Sequence, residues 1–190
     1  MSSTGRKDVR RADDAYYTPP WAVQLLLDAC PLPCGNWLEP SAGNGGIIRA
    51  VNARYGLEKH ARWSAVELNP ENRGPLEALG ADVEINDFLQ MPAPTYQYDV
   101  IIGNPPYSLA MEFIEHSLKF APTVVMLLRL AFLASQGRAQ FWWKNPADVY
   151  VLPERPSFTG KGTDSADYAW FRWPARAAGG GVCNVLGLRP

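Results

Sequence analysis

The sequence predicts an α/β fold in which a mostly parallel β-sheet is covered by helices on both faces. Short apolar segments alternate along the chain with longer segments that carry helix start and stop signals. The strand-like segments are almost continuously apolar, as expected for strands buried between two helical layers. Several of them end in acidic or polar residues, and open α/β sheets bind ligands beyond the carboxyl ends of their strands.

The first predicted helix begins at Thr18-Pro19-Pro20, because threonine can cap a helix and proline is tolerated in the first turn. Apolar residues continue from Trp21, and the helix has to stop before Pro31. Gly80 is a stop signal for a later helix. The further helices expected from their patterns span residues 47–55, 71–79, 109–120 and 131–143.

Strands are expected where apolar runs are bounded by turn signals. They span residues 36–39, 63–68, 83–85, 99–103, 124–128, 149–152 and 168–173. The glycine run at 179–181 is expected to be a loop in the C-terminal tail.

The length of 190 residues suits one domain, and a chain with 47% hydrophobic residues can build a sizeable core. We expect a flexible polar arm over residues 1–15 and one folded domain over residues 16–190. The three cysteines form no CxxC pair and no histidine cluster accompanies them, so neither zinc nor a disulfide framework is indicated. The sequence contains no signal region or membrane-spanning run, so we expect a cytoplasmic protein.

The formal net charge of -1 gives no general basis for binding nucleic acid, so such a site has to be a local patch. Two basic groups are candidates, and ordinary solvated surface is the alternative for both. They are Arg6, Lys7, Arg10 and Arg11 in the arm, and Arg138, Lys144, Arg155 and Lys161 farther along.

A glycine-rich turn, Ser41-Ala42-Gly43-Asn44-Gly45-Gly46, lies between the first strand and a helix, which predicts a nucleotide-type cofactor. A dinucleotide fingerprint would need Gly or Ala where this chain has Ile48, so a nicotinamide oxidoreductase is disfavoured. Glu67 ends the next strand and can accept both ribose hydroxyls, or it can be a charge at a helix N-terminus. Asp87 can accept a hydrogen bond from the amino group of an adenine while Phe88 packs on the adenine ring. Alternatively, Asp87 is a helix cap and Phe88 is an aromatic residue of the core.

Asn104-Pro105-Pro106-Tyr107 is the most specific signal in the chain. Consecutive prolines end a strand and make a rigid turn. The Asn104 oxygen and the Pro105 carbonyl can each accept one N–H of an exocyclic amine, which localises the nitrogen lone pair and stabilises the transition state. Tyr107 offers a flat face on which a base can stack. A plain strand-ending turn would not explain why an amide and an aromatic flank the prolines.

These motifs resemble, in order, those of the N6-adenine DNA methyltransferases with the N-terminal motif first. The resemblance covers about residues 16–174 and implies a Rossmann-like seven-stranded fold with an antiparallel last strand. It implies S-adenosylmethionine as cofactor, DNA as partner and a flipped-out target adenine. The implied cofactor contacts are Tyr17, Thr18, Pro19, Glu39, Ser41, Gly43, Glu67, Leu68, Asp87, Phe88 and Asn104.

The resemblance further implies that Asn104, Pro105, Pro106 and Tyr107 form the catalytic turn. Phe158 is placed where related enzymes carry an aromatic that packs on the flipped base; a loop aromatic covering the core is the alternative. No separate target-recognition domain is expected, since 16 residues follow Pro174. Recognition of a short or relaxed site is therefore expected, as in compact phage or prophage enzymes.

Two other substrates remain open at the level of sequence. The Asn-Pro-Pro-Tyr turn also occurs in methyltransferases that act on protein glutamine side chains, and close variants act on RNA bases. A module that binds cofactor or DNA without activity is the non-enzymatic alternative. An altered Asn104 or Glu67 would favour it, and neither residue is altered.

Overall fold

The computed structural model describes residues 17–57, 59–93, 95–158, 162–174 and 183–186. The N-terminal arm with its four basic residues, Lys161 and the glycine run at 179–181 lie outside these ranges. Within them, the strands form one sheet in the order β3-β2-β1-β4-β5-β7-β6-β8. The strands are β1 (Gly35–Glu39), β2 (Ala61–Glu67), β3 (Ala81–Ile85), β4 (Val100–Gly103), β5 (Val124–Arg129), β6 (Asp148–Val151), β7 (Tyr168–Trp173) and β8 (Cys183–Val185).

The described residues also form helices before and between these strands. They are α1 (Pro20–Ala29), α2 (Gly46–Tyr55), α3 (Arg73–Glu77), α4 (Ala110–Ser117) and α5 (Ala139–Lys144).

The sheet is mostly parallel with one antiparallel strand. The pairs β1–β2, β2–β3, β1–β4 and β4–β5 are parallel, and β7 lies antiparallel between β5 and β6. This arrangement confirms the predicted fold class. The short edge strand β8, parallel to β6, was not predicted from the sequence, because three residues after a glycine run carry no strand pattern.

Each face of the sheet is buried in its own apolar layer. Trp37 of β1 belongs to the layer that contains α1 and α2, whereas its neighbour Leu38 belongs to the layer that contains α4. This follows from the strand geometry, since successive side chains point to opposite faces.

The helix predicted over residues 131–143 is the largest local error. Two 3-10 turns, Leu130–Leu133 and Gln136–Arg138, precede the short helix α5. Ser135 between them has a φ of 146°, where its hydroxyl accepts a hydrogen bond from the Gly137 N–H. A non-glycine residue held in this conformation interrupts a helix.

No helix among the described residues is both long and apolar enough to cross a membrane.

Candidate active site

The candidate residues lie at one edge of the sheet, because parallel neighbouring strands end on the same side. Glu39 ends β1, Glu67 ends β2, Asp87 follows β3 and Asn104 follows β4. The sheet order places these four strands side by side. A small depression at this edge is lined by Thr18, Glu39, Ser41, Ala42, Gly43, Asn44, Gly46 and Asn104.

The glycine-rich turn is held in a conformation that needs glycine. Gly43 has a φ of 52° and Gly45 a φ of 77°, both in the left-handed region. A Cβ on Gly45 would come within 2.6 Å of the Leu79 side chain, whereas a Cβ on Gly43 would meet nothing within 4 Å. The Gly43 position is therefore open on the side from which a ligand can approach.

Glu39 is a buried carboxyl with an unused acceptor. Its side chain is 2% exposed, and its Oε2 has no hydrogen-bond partner among the described residues. Burial raises its pKa well above the usual value, the Ile48 backbone N–H opposes this rise, and the nearby Glu67 adds to it. Because Glu39 lines the depression, a cationic ligand there would oppose the rise in its pKa.

Glu67 connects the glycine-rich turn to the end of β2. Its Oε2 accepts from the Gly43 N–H at 2.7 Å, and its Oε1 accepts from the Asn69 N–H at 2.9 Å. Each carboxylate oxygen keeps a further lone pair for a hydroxyl donor. The next side chain, Leu68, is 70% exposed and offers an apolar surface beside this carboxylate.

Asp87 and Phe88 occupy different environments. The Asp87 Oδ1 caps the following 3-10 turn by accepting from the Leu89 N–H at 3.0 Å. The Phe88 ring is 1% exposed and packs against Phe113 at 5.5 Å and Phe120 at 5.3 Å between ring centroids. The structure therefore places Phe88 in the core rather than in the depression, because its side chain points into the layer of α4.

The side-chain amide of Asn104 is oriented at both ends. Its Oδ1 accepts from the Tyr107 hydroxyl at 2.9 Å, and its Nδ2 donates to the Thr18 Oγ1 at 3.3 Å. The Ser41 hydroxyl donates to the Asn104 backbone carbonyl at 3.4 Å. Within the turn, Pro105 is buried and Pro106 is exposed. The N-terminal motif, the glycine-rich turn and the Asn-Pro-Pro-Tyr turn thus meet at this residue.

The predicted capping role of Thr18 is wrong. The N-cap of α1 is Pro19, which makes no side-chain cap bond, and the Thr18 hydroxyl instead faces Asn104. The prediction that prolines begin this helix is confirmed, because Pro20 occupies the first helical position.

Aromatic residues surround Tyr107 on the far side of Asn104. Its ring lies 5.5 Å from Tyr168 and 6.4 Å from Phe158, and the Arg129 guanidinium lies over it at 5.1 Å. Burial raises the pKa of Tyr107 above its usual range, so its hydroxyl is a donor at neutral pH.

Phe158 is buried, and its carbonyl accepts from the N–H of the exposed residue Tyr17 at 3.1 Å. This contact joins the loop after β6 to the segment before α1. The Phe158 ring packs behind Tyr107, which is the arrangement of an aromatic that covers the core.

Several known proteins are similar to this chain in sequence or in structure. No family model matches the chain. A type II methyltransferase of Thermus thermophilus is 28% identical over 123 residues, which are 64% of this chain and 27% of that protein. The chain thus spans about a quarter of the length of this relative.

Solved structures show the same fold. The methyltransferase subunit of a type I restriction-modification system from Streptococcus thermophilus superposes with a TM-score of 0.67 at 15% identity, over 84% of this chain and 45% of that one. A Listeria monocytogenes protein described as a class I S-adenosylmethionine-dependent methyltransferase gives 0.66 at 15% identity, over 93% and 67%. The 23S rRNA methyltransferase ErmE gives 0.59 at 20% identity, over 83% and 68%. The fold is that of the S-adenosylmethionine-dependent methyltransferases.

The residues at the sheet edge of this methyltransferase fold fit S-adenosylmethionine, the cofactor of the fold. The cofactor carries a sulfonium cation, an ammonium group, a ribose diol and an adenine ring. The unpartnered Glu39 oxygen suits a cation, the Glu67 carboxylate suits a diol, and the exposed Leu68 suits a flat apolar ring.

Three residues of this methyltransferase fold were missed by the sequence analysis. Arg129 and Tyr168 contact Tyr107, and Asp164 contacts both of them. They come from the end of β5, the start of β7 and the loop after β6. No local motif marks them. They meet because antiparallel β7 begins at the edge where parallel β5 ends.

Proposed function

We propose that the protein transfers a methyl group from S-adenosylmethionine to the N6 amino group of adenine in DNA. One observation carries the proposal: the Asn104 side chain lines the same depression as Glu39 and Gly43. An acceptor for an exocyclic amine is thereby brought next to the residues that fit the cofactor.

In this proposal, Glu67 accepts the ribose hydroxyls and Leu68 packs on the adenine ring of the cofactor. Glu39 pairs with its cationic amino acid end, and the free oxygen of Asp87 accepts from its adenine amino group. The segment before α1, with Tyr17, Thr18 and Pro19, and the turn with Ser41 and Gly43 close around the rest.

The bound cofactor supplies an electrophilic methyl group on a sulfonium centre. The protein supplies the activation of the amine, whose lone pair is delocalised into the adenine ring. Asn104 Oδ1 and the Pro105 carbonyl accept its two N–H bonds, and these bonds strengthen as positive charge develops on the nitrogen. The product ammonium then loses its proton to solvent, so no strong general base is needed.

The target adenine has to leave the helix stack for this geometry to be reached. Tyr107 offers the flat surface on which the extruded base stacks, at about 1–3 kcal/mol per stacked base. Phe158 supports that surface from behind.

Two of the similar proteins favour DNA as substrate: one is a type II methyltransferase and another a type I restriction-modification subunit. The N-terminal motif from Tyr17 to Pro20 also resembles that of the DNA family. Methylation of RNA bases or of protein glutamine is the alternative that the following experiment distinguishes.

The test is incubation with methyl-labelled cofactor and three substrates: duplex DNA, ribosomal RNA and a glutamine-containing peptide. Digestion of labelled DNA to nucleosides should give N6-methyldeoxyadenosine as the labelled product, and Asn104→Ala should give almost none. Label confined to RNA or peptide would reassign the substrate, and absence of label from all three would contradict the proposed activity.

A further inference from the structure

A chain of polar contacts continues beyond Asn104 into the sheet. The Tyr107 hydroxyl donates to Asn104 Oδ1 at 2.9 Å, so the orientation of the tyrosine ring decides where the amide oxygen is held. The Arg129 guanidinium lies 5.1 Å above the centre of that ring. This distance is within the range of a cation–π contact.

Arg129 is itself fixed by two groups. Its Nε donates to the Tyr168 hydroxyl at 3.2 Å, and its Nη2 lies 3.8 Å from Asp164 Oδ2. The Tyr168 hydroxyl donates in turn to Asp164 Oδ2 at 3.0 Å, and Asp164 Oδ1 accepts from the Ala166 N–H. The guanidinium is thus held on one side by Tyr168 and Asp164 and rests on Tyr107 on the other.

The electrostatics of this group agree with a fixed arrangement. Burial acts to raise the pKa of Asp164, but the Ala166 N–H, the Tyr168 hydroxyl and Arg129 outweigh it and leave the pKa lowered. The hydrogen bond to Tyr168 raises the pKa of Arg129. Both groups are therefore charged at neutral pH.

Stability alone is a weak reason for this arrangement. The Arg129 side chain is 46% exposed, and ion pairs with this exposure contribute little to folding. A residue that only contacted phosphate would not need its Nε on Tyr168 and its guanidinium carbon over Tyr107.

We infer that Arg129, held by Tyr168 and Asp164, is a positioning residue that fixes the Tyr107 ring and, through the Tyr107 hydroxyl, the Asn104 acceptor. The inference rests on the proposed function for its consequence, because a small displacement of an acceptor lowers the rate of the chemical step. It predicts a loss in rate rather than a loss in cofactor binding.

The first test is Arg129→Met, which removes the charge and the donors but keeps the length of the side chain. At saturating DNA and cofactor, the single-turnover rate should fall about 10- to 100-fold, as for a misplaced reacting group. Arg54→Met is the matched control. Arg54 also pairs with a carboxylate, that of Asp28 at 3.2 Å, and its guanidinium lies 5.9 Å from the centre of the Tyr55 ring. The Arg54 side chain is 49% exposed, as Arg129 nearly is, but it lies away from the site.

The second test is Tyr168→Phe, which removes the hydroxyl and keeps the ring in its packing. Its rate should fall as well, because the Tyr168 hydroxyl contacts both Arg129 and the Tyr107 hydroxyl. Tyr96→Phe removes a remote hydroxyl that lies 3.2 Å from the Tyr98 hydroxyl, and it should leave the rate unchanged. If Arg129→Met does not fold, Asp164→Asn carries the test, because it removes the charge that pairs with Arg129 and keeps both tyrosines.

The third test does not depend on activity. The side-chain amide resonance of Asn104 can be identified in a ¹⁵N spectrum by its absence from Asn104→Ala. It should shift in Arg129→Met and stay in place in Arg54→Met.

An unchanged Asn104 resonance, or a variant that raises only the KM for DNA with an unchanged saturated rate, would overturn the positioning role and make Arg129 a phosphate contact. If the wild-type protein methylates no DNA while the resonance shifts as expected, the proposed function fails and the positioning contact stands.

Discussion

At the scale of single residues, Asn104 has both ends of its amide engaged by other parts of the fold. Thr18 holds the nitrogen and Tyr107 donates to the oxygen, which leaves one lone pair of Oδ1 for a substrate amine. Replacement of this residue therefore separates chemistry from cofactor binding.

Asn104→Ala should lower the turnover rate about 100-fold or more, as for the loss of one preorganised transition-state hydrogen bond. The affinity for S-adenosylmethionine should change little, because Glu39 and Glu67 remain. Asn104→Asp keeps an acceptor oxygen and should show residual activity above that of the alanine variant. Single-turnover kinetics at saturating cofactor measure both variants, and a near wild-type rate for Asn104→Ala would show that the turn is only structural.

Tyr107 makes a different contribution from that of Asn104. Tyr107→Ala should weaken DNA binding as well as the rate, because the base loses its stacking surface. Tyr107→Phe keeps this surface and loses only the hydrogen bond to Asn104, so it should lower the rate with an unchanged affinity for DNA. Equal effects of both variants on DNA affinity would argue against stacking.

Glu67 accepts from Gly43 and is proposed to accept from the ribose. Glu67→Ala should weaken cofactor binding by about 1.5–3 kcal/mol, the range for a hydrogen bond to a charged group. Isothermal calorimetry measures this, with Glu71→Ala as a control at an exposed neighbouring acid. Unchanged affinity in a folded Glu67→Ala would remove Glu67 from the cofactor site.

At the scale of elements, α1 directly follows the segment that brings Thr18 to the site. It is fastened to the sheet by Trp170 of β7, whose Nε1 donates to the Ala22 carbonyl at 2.9 Å in the buried core. The position of the first motif relative to Asn104 therefore depends on β7, the antiparallel strand.

Trp170→Phe should lower the free energy of unfolding by roughly 1–3 kcal/mol, because it removes a buried hydrogen bond and leaves a cavity. Trp143→Phe is the control, since Trp143 is 84% exposed and should change stability by about 0.5 kcal/mol or less. Urea denaturation followed by circular dichroism compares the two. Equal stability of both variants would mean that α1 is held by its other contacts.

At the scale of the whole molecule, the stability should depend on pH through Glu39. Its pKa in the folded protein is raised above the ordinary value of 4.5, chiefly by burial. Between 4.5 and the raised value, the unfolded chain is ionised while the folded protein keeps the proton. Unfolding then releases a proton, so the free energy of unfolding falls as pH rises.

Glu39→Gln removes this titration. The free energy of unfolding of the variant minus that of the wild type should increase as pH rises above about 4.5. Thermal melts without cofactor over this range measure the difference, with Glu71→Gln as a control at an exposed acid. Parallel curves for wild type and Glu39→Gln would show that Glu39 ionises at its ordinary pKa.

Much of the molecule follows from the sequence because its signals are local. The almost continuous apolar runs at residues 124–128 and 168–173 indicate buried strands, and the glycine-rich segment at 41–46 indicates the turn that lies between β1 and α2. Because parallel strands end at one edge, the order of motifs alone predicts that Glu39, Glu67 and Asn104 share a site. The prediction of one helix over residues 131–143 is wrong because Ser135 has a φ of 146°, which interrupts the helix.

The sequence by itself determined the fold class and the residues at the strand ends, and it is the source of the chemistry proposed for the Asn-Pro-Pro-Tyr turn. Only the tertiary structure decided that Phe88 and Phe158 are packed into the interior, that Thr18 faces Asn104 instead of capping α1, and that Arg129 lies over Tyr107. The physical reason is the distance along the chain. A motif reports what neighbouring residues can do, whereas these contacts join residues from separate strands and loops, and the insertion of antiparallel β7 beside β5 brings them together.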